Sequence, residues 1–389
     1  MYVTKIRNPN DLQPPYYGIT FTIQIKIFKT MVFGLFKKDK KNKKGNERYV
    51  DLTIKEIVKI TDDAVNLVFD TLDQDFSYQS GQFITLIDEV KGVKIRRAYS
   101  LCSAPNIDVY PAVTVKRVAN GVMSNHINDT YQIGQRLRVM EAMGTFTTRF
   151  DGEKSRQLVL IGGGSGITPL YSIVKSALHL EPKTGVLLVY ANKSSADIIF
   201  KEDLNKLSKQ FQNFHWINIL EQEDAITPAD YLGRPTESLV HTILEQSNVS
   251  TQTHYFICGP DPMMKIIQSG LDQFGVLPKQ IQIERFVGKH LGENLKGSNE
   301  VNVSILLDGT THELKIDGDQ PILDQALLAG IDMPYSCKSG FCTACRGKVL
   351  SGKVDIKDAD GLSEEEIAEG FALLCVGRAL TPDLQLSLE

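Results

Sequence analysis

The sequence predicts three folded units in series: an antiparallel β-barrel, a doubly wound α/β unit built on a parallel sheet, and a smaller C-terminal unit. Three observations predict this. From Leu52 to about Phe150, short alternating runs such as "LTIKEIVKI", "QFITLID" and "AVTVKRV" are separated by Gly, Asp and Asn turns, the pattern of a closed barrel. From Arg156 to Phe286, apolar strands alternate with helical segments, "QLVLIGGG" before "LYSIVKSALHL" and "HYFICG" before "PMMKIIQSGLDQF", which is the pattern of a parallel sheet. Beyond the linker "VGKHLGENLKGSNE", the run "VNVSILLDGTTHELKI" reads as two strands joined by Asp308-Gly309, a strong hairpin signal.

These patterns place the units at residues 49–152, 153–287 and 300–389, with a linker over 288–299. Residues 1–48 read as a disordered tail, and Met31 is the expected start of the native chain. The lysine run after Met31 reads as solvated, with anionic lipid as its alternative contact. No stretch reaches the roughly 18 apolar residues that a membrane-spanning helix needs.

The net charge is −4, and nothing in it suggests a nucleic-acid partner. The charge is uneven, however. Residues 300–389 hold 7 Lys and Arg against 16 Asp and Glu, net −9, whereas the rest holds 36 against 31, net +5. Six cysteines, four of them in one pattern, suit a reducing compartment, which points to the cytoplasm.

Each unit carries a motif. "LIGGGSGITPL" sets Gly162, Gly163, Gly164 and Gly166 between an apolar strand and a helix, where backbone amides can hold a pyrophosphate; a tight turn without a ligand is the alternative. "CGPDPMM" ends another strand, with Cys258, Gly259 and Pro260 at the same carboxyl edge. In the barrel, "RRAYS" offers Arg97, Tyr99 and Ser100. A tyrosine ring can lie on an isoalloxazine plane and an arginine can pair with a diphosphate, although cross-strand packing would use the same residues. Lys116 and the turn from Gly121 to Ser124 make a second phosphate-holding element.

"YSCKSGFCTACRGKV" holds Cys337, Cys342 and Cys345 in a C-x4-C-x2-C spacing, with Cys375 as a distant fourth. That is the plant-type [2Fe-2S] pattern, whereas zinc sites usually pair two short C-x2-C motifs. The small loop residues Ser336, Ser339, Gly340 and Thr343 let backbone amides approach the sulfurs.

"RAYS", "GVMS", "GGGSGITP", "CGPDPMM" and "IERF", in this order, resemble the ferredoxin–NADP reductase superfamily over about Leu52 to Val287, and Val301 to Glu389 resembles a plant-type ferredoxin. The resemblance implies an antiparallel β-barrel flavin domain, an α/β nucleotide domain and an α+β ferredoxin domain of the β-grasp type. It implies that Arg97, Tyr99 and Ser100 contact the flavin, with Lys116, Gly121, Met123 and Ser124 near its phosphates. Gly163, Gly164, Gly166, Thr168, Cys258, Gly259 and Pro260 would serve NAD(P)H. Tyr99, Ser100, Cys258, Glu284 and Phe286 would surround the hydride-transfer site, with a surface or structural role as the alternative for Glu284. Lys193 and Ser194 stand where a 2′-phosphate would lie, so NADPH is a candidate donor.

The order of units is similar to that in reductase components of multicomponent oxygenases, such as those serving phenylacetyl-CoA epoxidase, steroid hydroxylases and desaturases. The "GGGSGITP" and "IERF" wording favours FAD over FMN. The implied activity is electron transfer from NAD(P)H through FAD to a [2Fe-2S] cluster, and then to a terminal oxygenase docking near that cluster. A redox-sensing module of a different class would predict damaged motifs, and these are intact.

Overall fold

The computed structural model describes residues 49–71, 76–223, 228–247, 249–250, 252–286, 300–357, 359 and 361–389. The expected tail, Met31 and the linker over 288–299 lie outside the described residues. Among those described, no helix is long and apolar enough to cross a membrane.

The first unit contains β1 (Tyr49–Thr61), β2 (Ala64–Asp70), β3 (Phe83–Val90), β4 (Val93–Ser100), β5 (Ala112–Lys116), helix α1 (Val122–Thr130) and β6 (Arg136–Met143). Its sheet runs β4-β3-β6-β1-β2-β5 with every pairing antiparallel. A bridge from Leu101 to Val113 and the Cys102 N–H donated to Ala112 O at 2.9 Å join its two ends into a barrel. Period-2 alternation sends Leu52 and Ile54 of β1 and Val113 and Val115 of β5 inward, and α1 adds Met123 and Ile127 to the same core.

The second unit contains β7 (Gln157–Gly163), α2 (Ile167–Leu180), β8 (Gly185–Asn192), α3 (Lys201–Gln210), β9 (Phe214–Leu220), β10 (Tyr231–Leu232), α4 (Glu237–Gln246), β11 (Thr253–Cys258), α5 (Asp261–Gln273) and β12 (Ile281–Glu284). The sheet order is β10-β9-β8-β7-β11-β12, all parallel. Helices cover both faces, so the central strands read as unbroken apolar runs, "LVLI" in β7 and "YFIC" in β11. Connections leave β7 in one direction and β11 in the other, which opens a crevice at their carboxyl ends.

The third unit contains β13 (Glu300–Leu307), β14 (Thr310–Asp317), α6 (Ile322–Leu328), β15 (Arg346–Ser351), β16 (Val354–Asp355), α7 (Glu364–Ala368), β17 (Phe371–Leu373), β18 (Arg378–Ala379) and β19 (Asp383–Ser387). Its main sheet runs β14-β13-β19-β15-β17, with β13 and β19 parallel. Asp308 and Gly309 both take positive φ, 48° and 74°, as a two-residue primed turn requires. Ile322, Leu323 and Ala326 of α6 bury against the sheet, and the cysteine loop runs between α6 and β15.

Barrel and nucleotide sheet share one apolar core, in which Cys102, Ala112 and Phe146 meet Leu170, Phe256 and Cys258. Arg156 ties the segment leaving the barrel to the second unit. Its guanidinium pairs bidentately with the buried Glu181 at 2.9 and 3.1 Å and donates to Thr148 Oγ1 at 2.8 Å. Glu181 also accepts from Asp151 N and Thr184 Oγ1. Arg156→Met strips the cation from a carboxylate that has no exposed surface. The expected cost is about 3–5 kcal/mol, read as a lower denaturant midpoint for the first two units, while the ferredoxin-type unit unfolds as before.

Candidate functional site

The site is built on the contact between two turns. In the first, Gly164 turns the chain at φ +53° with open space where a side chain would stand. Gly163 and Gly166 have another task. A Cβ on Gly166 would lie 2.1 Å from Cys258 O, and one on Gly163 would lie 2.7 Å from Met263 and 2.9 Å from Pro260. A Cβ on Gly259 would meet Met263 at 2.5 Å and Gly163 N at 3.0 Å. These glycines let the 163–166 turn and the 258–260 turn pack backbone on backbone at the sheet's carboxyl edge. Thr168, expected to face the nucleotide, is buried and donates its hydroxyl to Ser165 O at 3.1 Å, while Tyr190 donates to Gly164 O at 2.8 Å. Both bonds brace the turn from inside, and α2 starts with no side-chain cap.

That packing sets the next position. Cys258 pairs with Gly162 on one side and with Glu284 on the other. Glu284 reaches across to the barrel, where Ser100 Oγ donates to its Oε2 at 3.0 Å. The residue keeps a partly accessible surface, but its carboxyl lies deep enough among protein atoms that desolvation pushes it up to about 8, against the opposing effect of the Ser100 bond. Burial, with Glu284 beside it, holds the Cys258 thiol well above its ordinary value. Cysteine, serine and carboxyl thus meet at the end of three strands, β11, β4 and β12. Phe286, two residues beyond, is 46% exposed.

Strand alternation on β4 places Arg97 and Tyr99 on one face. Arg97 is exposed and donates to Arg96 O at 2.8 Å. Tyr99 is half-buried, and burial raises its phenol above the ordinary range, so it stands as a neutral ring. Three elements expected near the flavin phosphates also serve the fold. Lys116 is held by Asp63 at 3.3 Å and Asp197 at 3.4 Å, bridging the first two units. Met123 lies in the barrel core, fully covered. Gly121 is the N-cap of α1 and Val122 to Ser124 lie in its first turn, where Ser124 Oγ accepts from Val118 N at 3.1 Å.

The four expected cysteines converge although Cys375 is 30 residues from Cys345. Cys337 lies against Cys342 and Cys375, and Cys375 also contacts Cys345. Leu374 N donates to Cys345 O at 3.1 Å and brings the distant ligand segment in. Among the described residues no three His, Cys, Asp or Glu side chains gather around a single ion. Four soft thiolates drawn from one loop and one distant segment fit an iron–sulfur cluster. Cys337, Cys342 and Ala344 pack on Phe83, Ile87 and Met140 of the barrel. Phe341 of the same loop lies 5.8 Å from the Arg285 guanidinium, next to Glu284 in the second unit. The cysteine loop therefore sits where all three units meet.

Known proteins divide along the same lines. Residues 51–148 match the oxidoreductase FAD-binding domain, 160–269 the oxidoreductase NAD-binding domain, and 305–380 the 2Fe-2S iron-sulfur cluster binding domain. The ferredoxin reductase component of 3-ketosteroid-9-alpha-monooxygenase from Rhodococcus rhodochrous is 35% identical over 361 residues, covering 87% of this chain and 97% of that protein. A component of 1,2-phenylacetyl-CoA epoxidase from Escherichia coli strain K12 is 31% identical over 353 residues, with 87% of this chain and 97% of that protein covered. Phthalate dioxygenase reductase aligns with 87% of this chain and 98% of its own at a TM-score of 0.54 and 22% identity, a likeness of fold. Because full-length relatives at this identity share all three units in the same order, the chain belongs to the oxygenase reductase components, oxidoreductases that carry FAD-binding, NAD-binding and [2Fe-2S] domains in one polypeptide.

Proposed function

We propose that this reductase draws electrons from NAD(P)H at the Ser100, Cys258 and Glu284 junction and delivers them through Cys337, Cys342, Cys345 and Cys375 to a terminal oxygenase. The observation that supports it most is the shared border. β4 ends at the Ser100 contact with Glu284, and the strands beside it carry the apolar patch on which the cysteine loop rests. When bound, a flavin supplies two-electron acceptance with one-electron release, and a cluster relays single electrons. The chain's own residues hold and order these groups. Tyr99 offers an aromatic face, Arg97 a diphosphate partner, and Gly121 with Ser124 the open end of α1. Gly164, with its φ above zero, presents the backbone of the nucleotide turn. The neutral Glu284 carboxyl can hold a proton beside the nicotinamide without adding a negative charge there. Phe286 is the aromatic placed to cover that position, and Lys193 and Ser194 follow the strand where a 2′-phosphate of NADPH would lie.

For the acceptor, we propose an oxygenase of the kind named for the relatives, a CoA-ester epoxidase or a ketosteroid hydroxylase, with a fatty-acid desaturase as the alternative. The compartment we propose is the cytoplasm, since all six cysteines are free thiols and a thiolate-held cluster needs reducing surroundings.

The flavin-to-cluster order is tested by Cys345→Ala. Reduction of cytochrome c should fall sharply, since only three thiolates remain for the cluster, while NAD(P)H-dependent ferricyanide reduction persists; equal loss of both activities refutes a linear path.

Glu284 gives a pH prediction. Its folded value lies above its unfolded one of 4.5, so its stabilising contribution is complete below that pH and is lost as pH rises through about 8. Glu284→Gln removes the titration. The variant should therefore gain melting temperature relative to wild type between pH 5 and pH 8, and parallel curves would show that the carboxyl does not titrate in this window.

Docking to the acceptor is proposed to use the acidic third unit. Glu366 is already paired with Arg346, whereas Glu364, Glu365 and Glu369 are exposed; Asp358 and Asp360 lie outside the described residues. Electron transfer to the oxygenase should slow as salt rises, with ferricyanide turnover much less affected. Charge reversal at Glu364, Glu365 and Glu369 should reproduce the slowing at low salt. Indifference to both would place docking on an apolar face.

A further inference from the structure

Arg96 and Arg97 are neighbours on β4 and point to opposite faces. Arg97 faces solvent beside the proposed flavin residues, whereas Arg96 is only 2% exposed and turns toward the third unit. Its Nη1 donates to Met333 O at 2.8 Å, its Nη2 donates to Asp332 Oδ1 at 2.9 Å, and its guanidinium carbon lies 4.9 Å from the centre of the Tyr335 ring. Lys94, on the same face two residues earlier, pairs with the other Asp332 oxygen at 2.6 Å. On the adjoining β3, Thr85 donates to Ser336 Oγ at 2.6 Å, with both residues buried.

These contacts fall on four of the five residues 332–336, and the next residue is Cys337. Burying an arginine is costly, and apolar side chains of similar volume would bind the two units at least as strongly. What the planar fork adds is direction: two donors and a stacked ring fix the segment in one register and orientation. Asp332 responds to the same arrangement. Partial burial pushes its carboxyl up, but Lys94 and Arg96 outweigh this and hold it below the ordinary carboxylate range.

We propose that Arg96 is a positioning residue, the centre of an internal latch with Lys94, Thr85, Asp332 and Tyr335 that fixes the cysteine loop against the flavin barrel for electron transfer. It acts through residues 332–336, which its side chain grips. The inference rests on the reading that the barrel binds flavin and the four cysteines bind the cluster.

The test uses the full-length, cofactor-loaded protein with Arg96→Met, Arg96→Lys and, from the opposite side, Asp332→Ala, whose side chain is 57% exposed in the native protein. Flavin and iron content, the spectrum of the reduced cluster and NAD(P)H-dependent ferricyanide reduction should match wild type. Flavin-to-cluster transfer, followed by stopped-flow absorbance, should slow by up to about a hundredfold in Arg96→Met, and Arg96→Lys should recover it only in part. A second readout does not depend on turnover. Zero-length carbodiimide coupling should join Lys94 to Asp332 in wild type, and the yield should drop in Arg96→Met. If Arg96→Met does not fold, Asp332→Ala carries the kinetic test. Wild-type transfer rates in Asp332→Ala, or in a folded Arg96→Met with undiminished coupling, would overturn the latch. Absence of flavin or iron from the wild-type protein would overturn the underlying reading instead.

Discussion

The close approach of Gly166 to the Cys258 carbonyl is the constraint on which the rest of the site depends. Two turns can share the carboxyl edge of the sheet only if neither carries a side chain at the contact, and a Cβ at Gly166 would stand 2.1 Å from that oxygen. Their packing fixes Cys258, strand pairing then fixes Glu284 beside it, and Glu284 reaches Ser100 of the barrel. A local backbone requirement in the second unit is thereby converted into a definite relation between two units. Desolvation at the same junction raises the Glu284 carboxyl to about 8, against the opposing effect of the Ser100 bond.

β4 carries the construction to the third unit. A strand has two faces, so one short segment can serve two purposes: Arg97 and Tyr99 on one side, Lys94 and Arg96 on the other. The second face grips the residues that lead into Cys337, and the neighbouring strands β3 and β6 supply the apolar patch under Cys342 and Ala344.

Much of this is legible in the sequence because periodicity and cysteine spacing each report a single physical requirement. The barrel, the parallel sheet and the C-x4-C-x2-C loop appear where period-2 alternation, unbroken apolar runs and ligand spacing place them. What the sequence does not separate is residues of one type used for two ends. Gly163 and Gly166 read as phosphate-binding glycines, yet the structure uses them for turn-on-turn packing, because a missing side chain serves either purpose. Lys116 reads as a phosphate partner and is engaged by Asp63 and Asp197, two carboxylates distant in the chain from each other. Of the arginine pair, only Arg97 carries a motif signal; the use of Arg96 depends on Asp332, which lies 236 residues away. Glu284 is picked out by the "IERF" resemblance, but its burial is not legible there, since it comes from a barrel that the strand itself does not contain.

The charge asymmetry acquires a more specific meaning from these contacts. The third unit's net −9 suggests a surface for an external partner, but part of that charge is used inside the molecule. Asp332 faces Lys94 and Arg96 of the barrel, Asp324 faces Lys338, and Glu366 faces Arg346. Glu364, Glu365 and Glu369 lie on or beside α7, away from the 332–336 segment in sequence and exposed to solvent. The contact between barrel and third unit therefore centres on the buried Arg96 fork, with Lys94 and Asp332 half-exposed at its edge, whereas Glu364, Glu365 and Glu369 stay open to solvent and to screening by salt.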